Sequence, residues 1–276
     1  MINGRTLADV FVASPDNYLL YGEGGVGKTT SLIQLAKDII GVKTPSNQTI
    51  IPIFIKVANY KFKNKLGDNE IVLYLRKYFR NSVDEQAVVR MIEQNNSYLF
   101  LFLIDGLNEI SSIRKDSDIS PSEHLQNSIA ELIHLKNVKF IVSSRSADVI
   151  TNTYLQKLFS PIRLFGLEER IIRDAIEEND WERLDAYLQN AIRNPMMFRM
   201  FRKLYQENPD KALSLHSKYD LISNYVEWDS TATADKRRMH GYDILRRKAI
   251  DFIIPYIANR VEMEMIEEGN LSRLGI

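Results

Sequence analysis

Hydrophobic and polar positions alternate in two different ways along this chain, and the change falls near residue 166. Before it, short apolar runs predict strands, and stretches with an apolar residue every three or four positions predict helices. The predicted strands cover residues 18–21, 49–57, 98–104, 138–143 and 162–165. The predicted helices between them cover residues 28–40, 69–80, 84–95 and 121–133. This order predicts an α/β fold with a five-stranded parallel sheet flanked by helices.

Beyond residue 166 the strand pattern stops and a helical period of 3.6 residues takes over. One of the apolar stripes in this region consists of Met197, Met200, Phe201 and Leu204. A Met-rich stripe at this spacing is typical of a helix core rather than of a cofactor site. We therefore predict two domains, an α/β domain at 1–166 and an all-helical domain at 167–276.

The first predicted strand runs into a glycine-rich turn and then into a helix, in the sequence NYLLYGEGGVGKTT at 17–30. The turn matches G-x-x-x-x-G-K-[ST], a loop whose backbone N–H groups point at a phosphate while the helix adds its positive dipole end. Lys28 is predicted to bridge the β- and γ-phosphates, and the Thr29 hydroxyl to ligate Mg²⁺. The alternative is a turn that merely joins strand and helix. The predicted nucleotide-binding residues of the loop are Gly22, Glu23, Gly24, Gly25, Val26, Gly27, Lys28, Thr29 and Thr30.

A second informative stretch is YLFLFLIDGLNEI at 98–110, in which seven consecutive apolar residues end in a carboxylate. Such a run predicts a strand buried on both faces, with Asp105 at the C-terminal edge where open α/β sheets bind ligands. An acid there, downstream of a phosphate-binding loop, is typical of a Mg²⁺ ligand. The alternative is a strand-ending turn, because Asp-Gly is a strong turn dipeptide.

The fourth predicted strand ends at Ser144 and Arg145. In a parallel sheet this end lies at the same edge as the phosphate-binding loop. Because a guanidinium offers a fixed bidentate fork, Arg145 is predicted to reach the γ-phosphate and to sense or stabilise its charge.

The composition of the chain argues against several classes of partner and of catalytic or metal site. The chain has 36 basic and 36 acidic residues, so no overall field favours nucleic acid or an anionic membrane. It has no cysteine and four scattered histidines, which excludes thiolate catalysis and argues against a histidine metal centre. The basic, aromatic segment NYKFKNKLG at 59–67 is interpreted as a solvated loop rather than a nucleic-acid contact. No leader sequence and no membrane span are visible, and we expect a cytoplasmic protein.

Four motifs, in this order, resemble those of NACHT-type NTPases in the STAND group of AAA-like signalling switches. They are GEGGVGKTT at 22–30, LFLIDGLNE at 101–109, VSSRS at 142–146 and NPMMFRMF at 194–201. The resemblance covers residues 17–260. Its most specific mark is Gly106, because NACHT domains carry a small residue where most AAA-like ATPases carry a catalytic glutamate directly after the Mg²⁺ aspartate.

The resemblance implies roles for single residues. Lys28 and Thr29 hold phosphate and Mg²⁺, and Asp105 coordinates the Mg²⁺. The family's D-G-x-D-E pattern is changed here, because Asn108 replaces one acid, which leaves Glu109 as the base expected to activate water. The change bears on the hydrolysis rate more than on nucleotide binding.

Two further residues match the family's pattern. Arg145 corresponds to the sensor-type arginine. Pro195, in Asn194-Pro195, corresponds to the proline that packs against the nucleotide's base, although a helix start with proline in its first turn explains the same dipeptide.

The resemblance implies a nucleotide-controlled switch. ADP keeps it closed, and exchange for Mg²⁺-ATP, with slow hydrolysis, exposes an oligomerisation surface in innate immune or antiviral signalling. It also implies sensor and effector regions outside this chain, which would then be a fragment that ends in the start of a winged-helix region from about residue 242. The alternative is an AAA-like ATPase that remodels protein or nucleic acid, and Gly106 counts against it.

Overall fold

The computed structural model describes residues 7–14, 16–59, 69–78, 84–110, 120–177 and 179–234. These residues divide into two compact units. The α/β unit extends to Leu167 and includes Asn194–Met196, and the helical unit comprises Glu168–Arg193 and the chain from Met197 onwards. The basic segment after residue 59 and the winged-helix region predicted from about residue 242 lie outside the described residues.

Five parallel strands form one sheet in the α/β unit, as predicted. They are β1 (Asn17–Tyr21), β2 (Thr49–Lys56), β3 (Tyr98–Asp105), β4 (Val138–Ser144) and β5 (Phe159–Arg163). The strand order is β2-β3-β4-β1-β5, and every neighbouring pair is parallel. Because β4 lies between β1 and β3, its C-terminal end is flanked by the glycine-rich loop on one side and by Asp105 on the other.

Helices cover both faces of this sheet. They are α1 (Leu7–Ala13), α2 (Lys28–Ile39), α3 (Glu70–Tyr78), α4 (Glu85–Glu93), α5 (Pro121–Leu132) and α6 (Thr153–Leu158). Side chains of β3 alternate between the faces, so Leu101 packs in the core under α1 and α2, and Phe102 packs in the core under α3 to α5. The connection from β1 to β2 runs towards one edge of the sheet, and the later connections run towards the opposite edge. Because such crossovers are right-handed, α2 lies on one face of the sheet and the later helices lie on the other.

Three elements differ from the pattern-based prediction, and one of them is the short helix α6, which was not predicted. The fifth strand covers Phe159–Arg163 rather than 162–165, and Phe165 is 70% exposed. Pro161 lies inside this strand and obscured it in the sequence, but a strand at the edge of the sheet tolerates a residue without an N–H donor. The short helix α1 lies in the lead-in to β1, where no helix was predicted, and it buries Phe11 against the sheet.

The described part of the helical unit consists of helices that range from 4 to 17 residues in length. They are α7 (Glu169–Arg173), α8 (Asp180–Arg183), α9 (Ala186–Ala191), α10 (Pro195–Glu207), α11 (Pro209–Leu213) and α12 (Lys218–Ala234). In α10 the predicted stripe is buried at Phe201 and Leu204. The buried Asp180 accepts hydrogen bonds from the Tyr205 hydroxyl at 2.6 Å and from Arg183 at 2.8 Å. Across the described ranges, no helix combines the length and the apolar character that a membrane span requires.

Candidate nucleotide-binding site

The glycine-rich loop joins the end of β1 at Tyr21 to the start of α2 at Lys28. Gly25 has φ +77°, and a Cβ at this position would lie 2.8 Å from Oδ1 of Asn194. A side chain is therefore excluded there by both backbone conformation and space. Gly27 occupies the N-cap position of α2, and no side chain among the described residues caps this helix end through a hydrogen bond. The backbone N–H groups of the first turn remain suited to an anion.

The ammonium group of Lys28 lies against the loop's own backbone. Nζ donates to the carbonyl oxygens of Gly22 at 2.6 Å and Glu23 at 2.8 Å. Burial lowers the pKa of Lys28 below its ordinary value of 10.5, and the positive charge of Arg145 lowers it further. The charges of Asp105 and Glu109 act in the opposite direction. These four charged groups are thus close enough to influence one another.

Thr29 connects the loop directly to the end of β3. Its hydroxyl donates to Asp105 at 2.8 Å from Oδ2 and 3.1 Å from Oδ1. The Asp105 side chain is almost fully buried, at 4% exposure. A hydroxyl and a carboxylate are oxygen donors of the kind that Mg²⁺ prefers, so the residues present fit this ion. No cluster of three or more His, Asp or Glu side chains occurs in the described parts of the chain, and Mg²⁺ at a phosphate site needs only one or two carboxylates.

Ser143 is a site residue that the sequence reasoning did not single out. Its hydroxyl donates to Oδ1 of Asp105 at 2.8 Å and accepts the backbone N–H of Gly106 at 2.9 Å. The signal in the sequence was its place in VSSRS at 142–146, the motif that was used only for Arg145. That signal does not reveal the partner, because 38 positions separate Ser143 from Asp105.

Gly106 and Glu109 form a tight turn after β3. Gly106 has φ +85°, and a Cβ there would lie 2.9 Å from both Cδ and Oε2 of Glu109. The Glu109 carboxylate is therefore folded back over Gly106. Between them, Oδ1 of Asn108 accepts the backbone N–H of Arg145 at 3.1 Å. Asn108 thus ties the turn after β3 to the end of β4.

Asn194 contacts the glycine-rich loop from the start of α10. Its Nδ2 donates to the Gly24 carbonyl at 2.7 Å, while its Oδ1 accepts the backbone N–H of Met196 at 3.0 Å. Pro195 follows at the first position of α10 and is half-buried. Asn194, Pro195 and Met196 all group with the α/β unit.

The remaining residues of the glycine-rich loop differ in exposure and in the contacts that they make. Glu23 and Gly24 are exposed and contribute backbone carbonyls to Lys28 and Asn194. Val26 is buried at 7% exposure, and Thr30 is exposed in the first turn of α2. The loop residues, Asp105, Glu109, Arg145 and Asn194 thus converge at the C-terminal edge of the sheet.

The chain has a strand, a glycine-rich loop and a helix in direct succession, and the loop faces an acid at the end of a strand two places along an all-parallel sheet. This arrangement defines a P-loop NTPase with an AAA-like strand order. The model of the NACHT domain family matches residues 16–177. The chain therefore belongs to the NACHT family.

A solved structure that matches with a TM-score above 0.5 supports the fold alone. The ORC2 protein of Aeropyrum pernix, described as ADPNP-ADP complexes, is 12% identical with a TM-score of 0.51, and the match covers 80% of this chain and 66% of that one. The ORC1 protein of the same organism in complex with DNA is 13% identical with a TM-score of 0.49, covering 88% of this chain and 63% of that one. This chain thus spans slightly less than two thirds of either protein's length. A search of curated protein sequences found no match.

Proposed function

We propose that this chain is a nucleotide-controlled switch that binds ADP and Mg²⁺-ATP, hydrolyses ATP slowly and uses the bound nucleotide to control self-association. The observation that carries the proposal is the 2.8 Å contact between the Thr29 hydroxyl and Oδ2 of Asp105. It joins the phosphate-binding loop to the acid of β3 at one point, as a Mg²⁺-nucleotide site requires.

The binding step uses the loop, Lys28, Thr29 and Asp105. The backbone N–H groups of the loop and of the start of α2 donate hydrogen bonds to the phosphate oxygens, and Lys28 exchanges its two carbonyl partners for the β- and γ-phosphates. Thr29 and Asp105 are the residues that hold Mg²⁺. When bound, this ion neutralises charge on the phosphates. Pro195, beside the loop, packs against the nucleotide's base, as the family pattern implies.

Slow hydrolysis follows from the turn after β3. The position next to Asp105 is Gly106, which has no side chain to act as a base. Glu109 is the base in this proposal, accepting the proton of the attacking water, and its carboxylate has to leave its place over Gly106 to do so. Asn108 is neutral and holds the backbone of Arg145. A base that must first be repositioned favours a low rate.

Arg145 supplies the response to the nucleotide's state. Its charge already lowers the pKa of Lys28, the residue assigned to the β- and γ-phosphates. A guanidinium in that position interacts with ATP and loses its partner when the γ-phosphate leaves. Ordering by a γ-phosphate is a known route to switching. Family membership supports the further proposals of a cytoplasmic location, of innate immune or antiviral signalling as the output, and of sensor and effector partners outside this chain.

The test measures three properties of the purified chain: the nucleotide that copurifies, the steady-state rate of ATP hydrolysis, and the oligomeric state with ADP or with a non-hydrolysable ATP analogue. A switch is expected to carry ADP, to turn over slowly and to self-associate with the ATP analogue. Rapid hydrolysis that protein or nucleic acid stimulates, with an unchanged oligomeric state, would instead identify an AAA-like remodelling ATPase.

A further inference from the structure

Ser143 is a buried polar residue near the C-terminal end of β4, between β1 and β3. It lies in β4 opposite Leu20 of β1, and its other neighbour strand ends at Asp105. Its side chain is 1% exposed. A hydroxyl in such a place requires hydrogen-bond partners, because water is excluded. The partners that it has belong to the proposed Mg²⁺ site.

The direction of both hydrogen bonds is fixed by chemistry. The backbone N–H of Gly106 can only donate, so Oγ of Ser143 accepts that bond at 2.9 Å. A serine hydroxyl has one hydrogen, and it points to Oδ1 of Asp105 at 2.8 Å. Ser143 therefore cannot exchange these roles without leaving a buried group unpaired.

These bonds hold the carboxylate of Asp105 in one orientation. Oδ1 accepts the bond from Ser143 at 2.8 Å, and the Thr29 hydroxyl lies nearer to Oδ2, at 2.8 Å, than to Oδ1, at 3.1 Å. Rotation of the carboxylate plane away from its present orientation would break the bond to Ser143. A ligand held in one orientation loses less entropy when it binds a metal ion.

We infer that Ser143 is a positioning residue that orients Asp105 for Mg²⁺ and thereby sets how strongly Mg²⁺ increases the affinity for ATP. The inference rests on the proposed function, in which Asp105 is a Mg²⁺ ligand. It adds a residue to that site and a property, Mg²⁺ sensitivity, that is measurable without turnover.

The experiment compares ATP affinity in excess Mg²⁺ with ATP affinity in EDTA, using the full chain and its Ser143→Ala variant. The ratio of the two dissociation constants gives the gain due to Mg²⁺. Loss of an outer-sphere partner of a metal ligand typically weakens metal binding about 10-fold or more, and we expect a similar fall in this ratio for Ser143→Ala. Affinity in EDTA should change little.

A purely structural role for Ser143 predicts a different result. Ser128 is a matched control, because it is also a buried serine, accepts the Glu70 N–H at 3.0 Å and donates to the His124 carbonyl at 3.1 Å in α5. Ser128→Ala should lower the melting temperature and leave the Mg²⁺ gain as in the parent. If Ser143→Ala behaves in the same way, the inference is wrong.

Three further variants separate the role of Ser143 from the proposed Mg²⁺ site and from a folding defect. Ser143→Thr retains the hydroxyl and should restore the Mg²⁺ gain, whereas Ser143→Cys, with a weaker donor and acceptor, should give an intermediate gain if the alanine variant does not fold. Asp105→Asn should abolish the gain. A parent-like gain in Asp105→Asn would overturn the proposed Mg²⁺ site itself, while loss there with a parent-like gain in Ser143→Ala and Ser143→Cys would overturn only the role of Ser143.

Discussion

The side-chain amide of Asn194 donates a 2.7 Å hydrogen bond to the carbonyl of Gly24, which joins the phosphate-binding loop to a residue 170 positions later. The same side chain caps α10 through the N–H of Met196. Asn194 thus binds the Gly24 carbonyl of the loop and caps the start of α10. The two roles use different atoms, the amide nitrogen for the loop and the amide oxygen for the helix.

Asn194→Asp separates these roles. The aspartate keeps an oxygen for the N–H of Met196, but it cannot donate to Gly24 and brings a negative charge to the loop. We expect ATP affinity to fall about 10-fold or more, the effect of losing a hydrogen bond near charged groups. Isothermal titration measures the change. The exposed Asn190 of α9 provides the control, and an Asn190→Asp variant should bind as the parent does. Equal affinities in all three proteins would contradict a role in nucleotide binding for the hydrogen bond from Asn194 to Gly24.

Lys28→Ala removes the cation assigned to the phosphates. In the parent, ATP at about 100 times its dissociation constant should add about 2.7 kcal/mol of stability, since the ligand binds the folded state. In the variant this thermal shift should disappear, and differential scanning fluorimetry reports it. Lys37→Ala, at an exposed position of the same helix, should retain the shift. A parent-like shift in Lys28→Ala would rule out the phosphate-binding assignment.

Glu109→Gln tests the base. The amide keeps the shape of the side chain but cannot accept a proton from water. We expect nucleotide affinity to stay within about 2-fold and single-turnover hydrolysis to slow about 100-fold, as for loss of a general base. Glu123→Gln in α5 is the matched control and should hydrolyse ATP at the parent rate. Unchanged hydrolysis in Glu109→Gln would transfer the base role to another group.

Arg145→Ala tests discrimination between ATP and ADP. The variant lacks the guanidinium that we propose interacts with the γ-phosphate, so the ratio of ATP to ADP affinity should fall about 10-fold. Competition binding with a fluorescent nucleotide measures both constants. Arg90→Ala, an exposed change in α4, should leave the ratio unaltered. The sensor role fails if Arg145→Ala discriminates as well as the parent.

The buried Asp180 in the helical unit gives a pH-dependent prediction. The hydrogen bond from Tyr205 is the largest of the effects that lower its pKa below the ordinary value of 3.8. A lowered carboxyl pKa stabilises the fold above pH 3.8, and this contribution is lost as the pH falls through the lower folded-state pKa.

Tyr205→Phe should therefore be less stable than the parent at neutral pH, and the difference should shrink as the pH falls below about 3.8. Urea unfolding at a series of pH values measures it. Tyr187→Phe is the control, because Tyr187 is 81% exposed and should give no difference at any pH. A difference between parent and Tyr205→Phe that is independent of pH would contradict this role of the hydrogen bond.

The sequence predicted each part of the candidate site that a short, continuous stretch of residues identifies. The loop from Gly22 to Thr30 follows a local motif, and Asp105 ends an apolar run that only a central strand explains. The strand order did not follow from the sequence, because pairing of β1 with β4 and β5 depends on contacts between distant segments. For the same reason, the partners of Ser143 and Asn194 became visible only in the structure.

Gly106 limits how this site can change by mutation. A glutamate directly after Asp105 would give the arrangement expected of a fast AAA-like ATPase. At Gly106, however, any side chain meets the Glu109 carboxylate at 2.9 Å and an unfavourable φ of +85°. Gly106→Glu alone should therefore misplace the existing acid without positioning the new one. Under the proposed function, the change from Gly106 to glutamate would not by itself produce a faster ATPase, and a second change that repositions Glu109 would be needed.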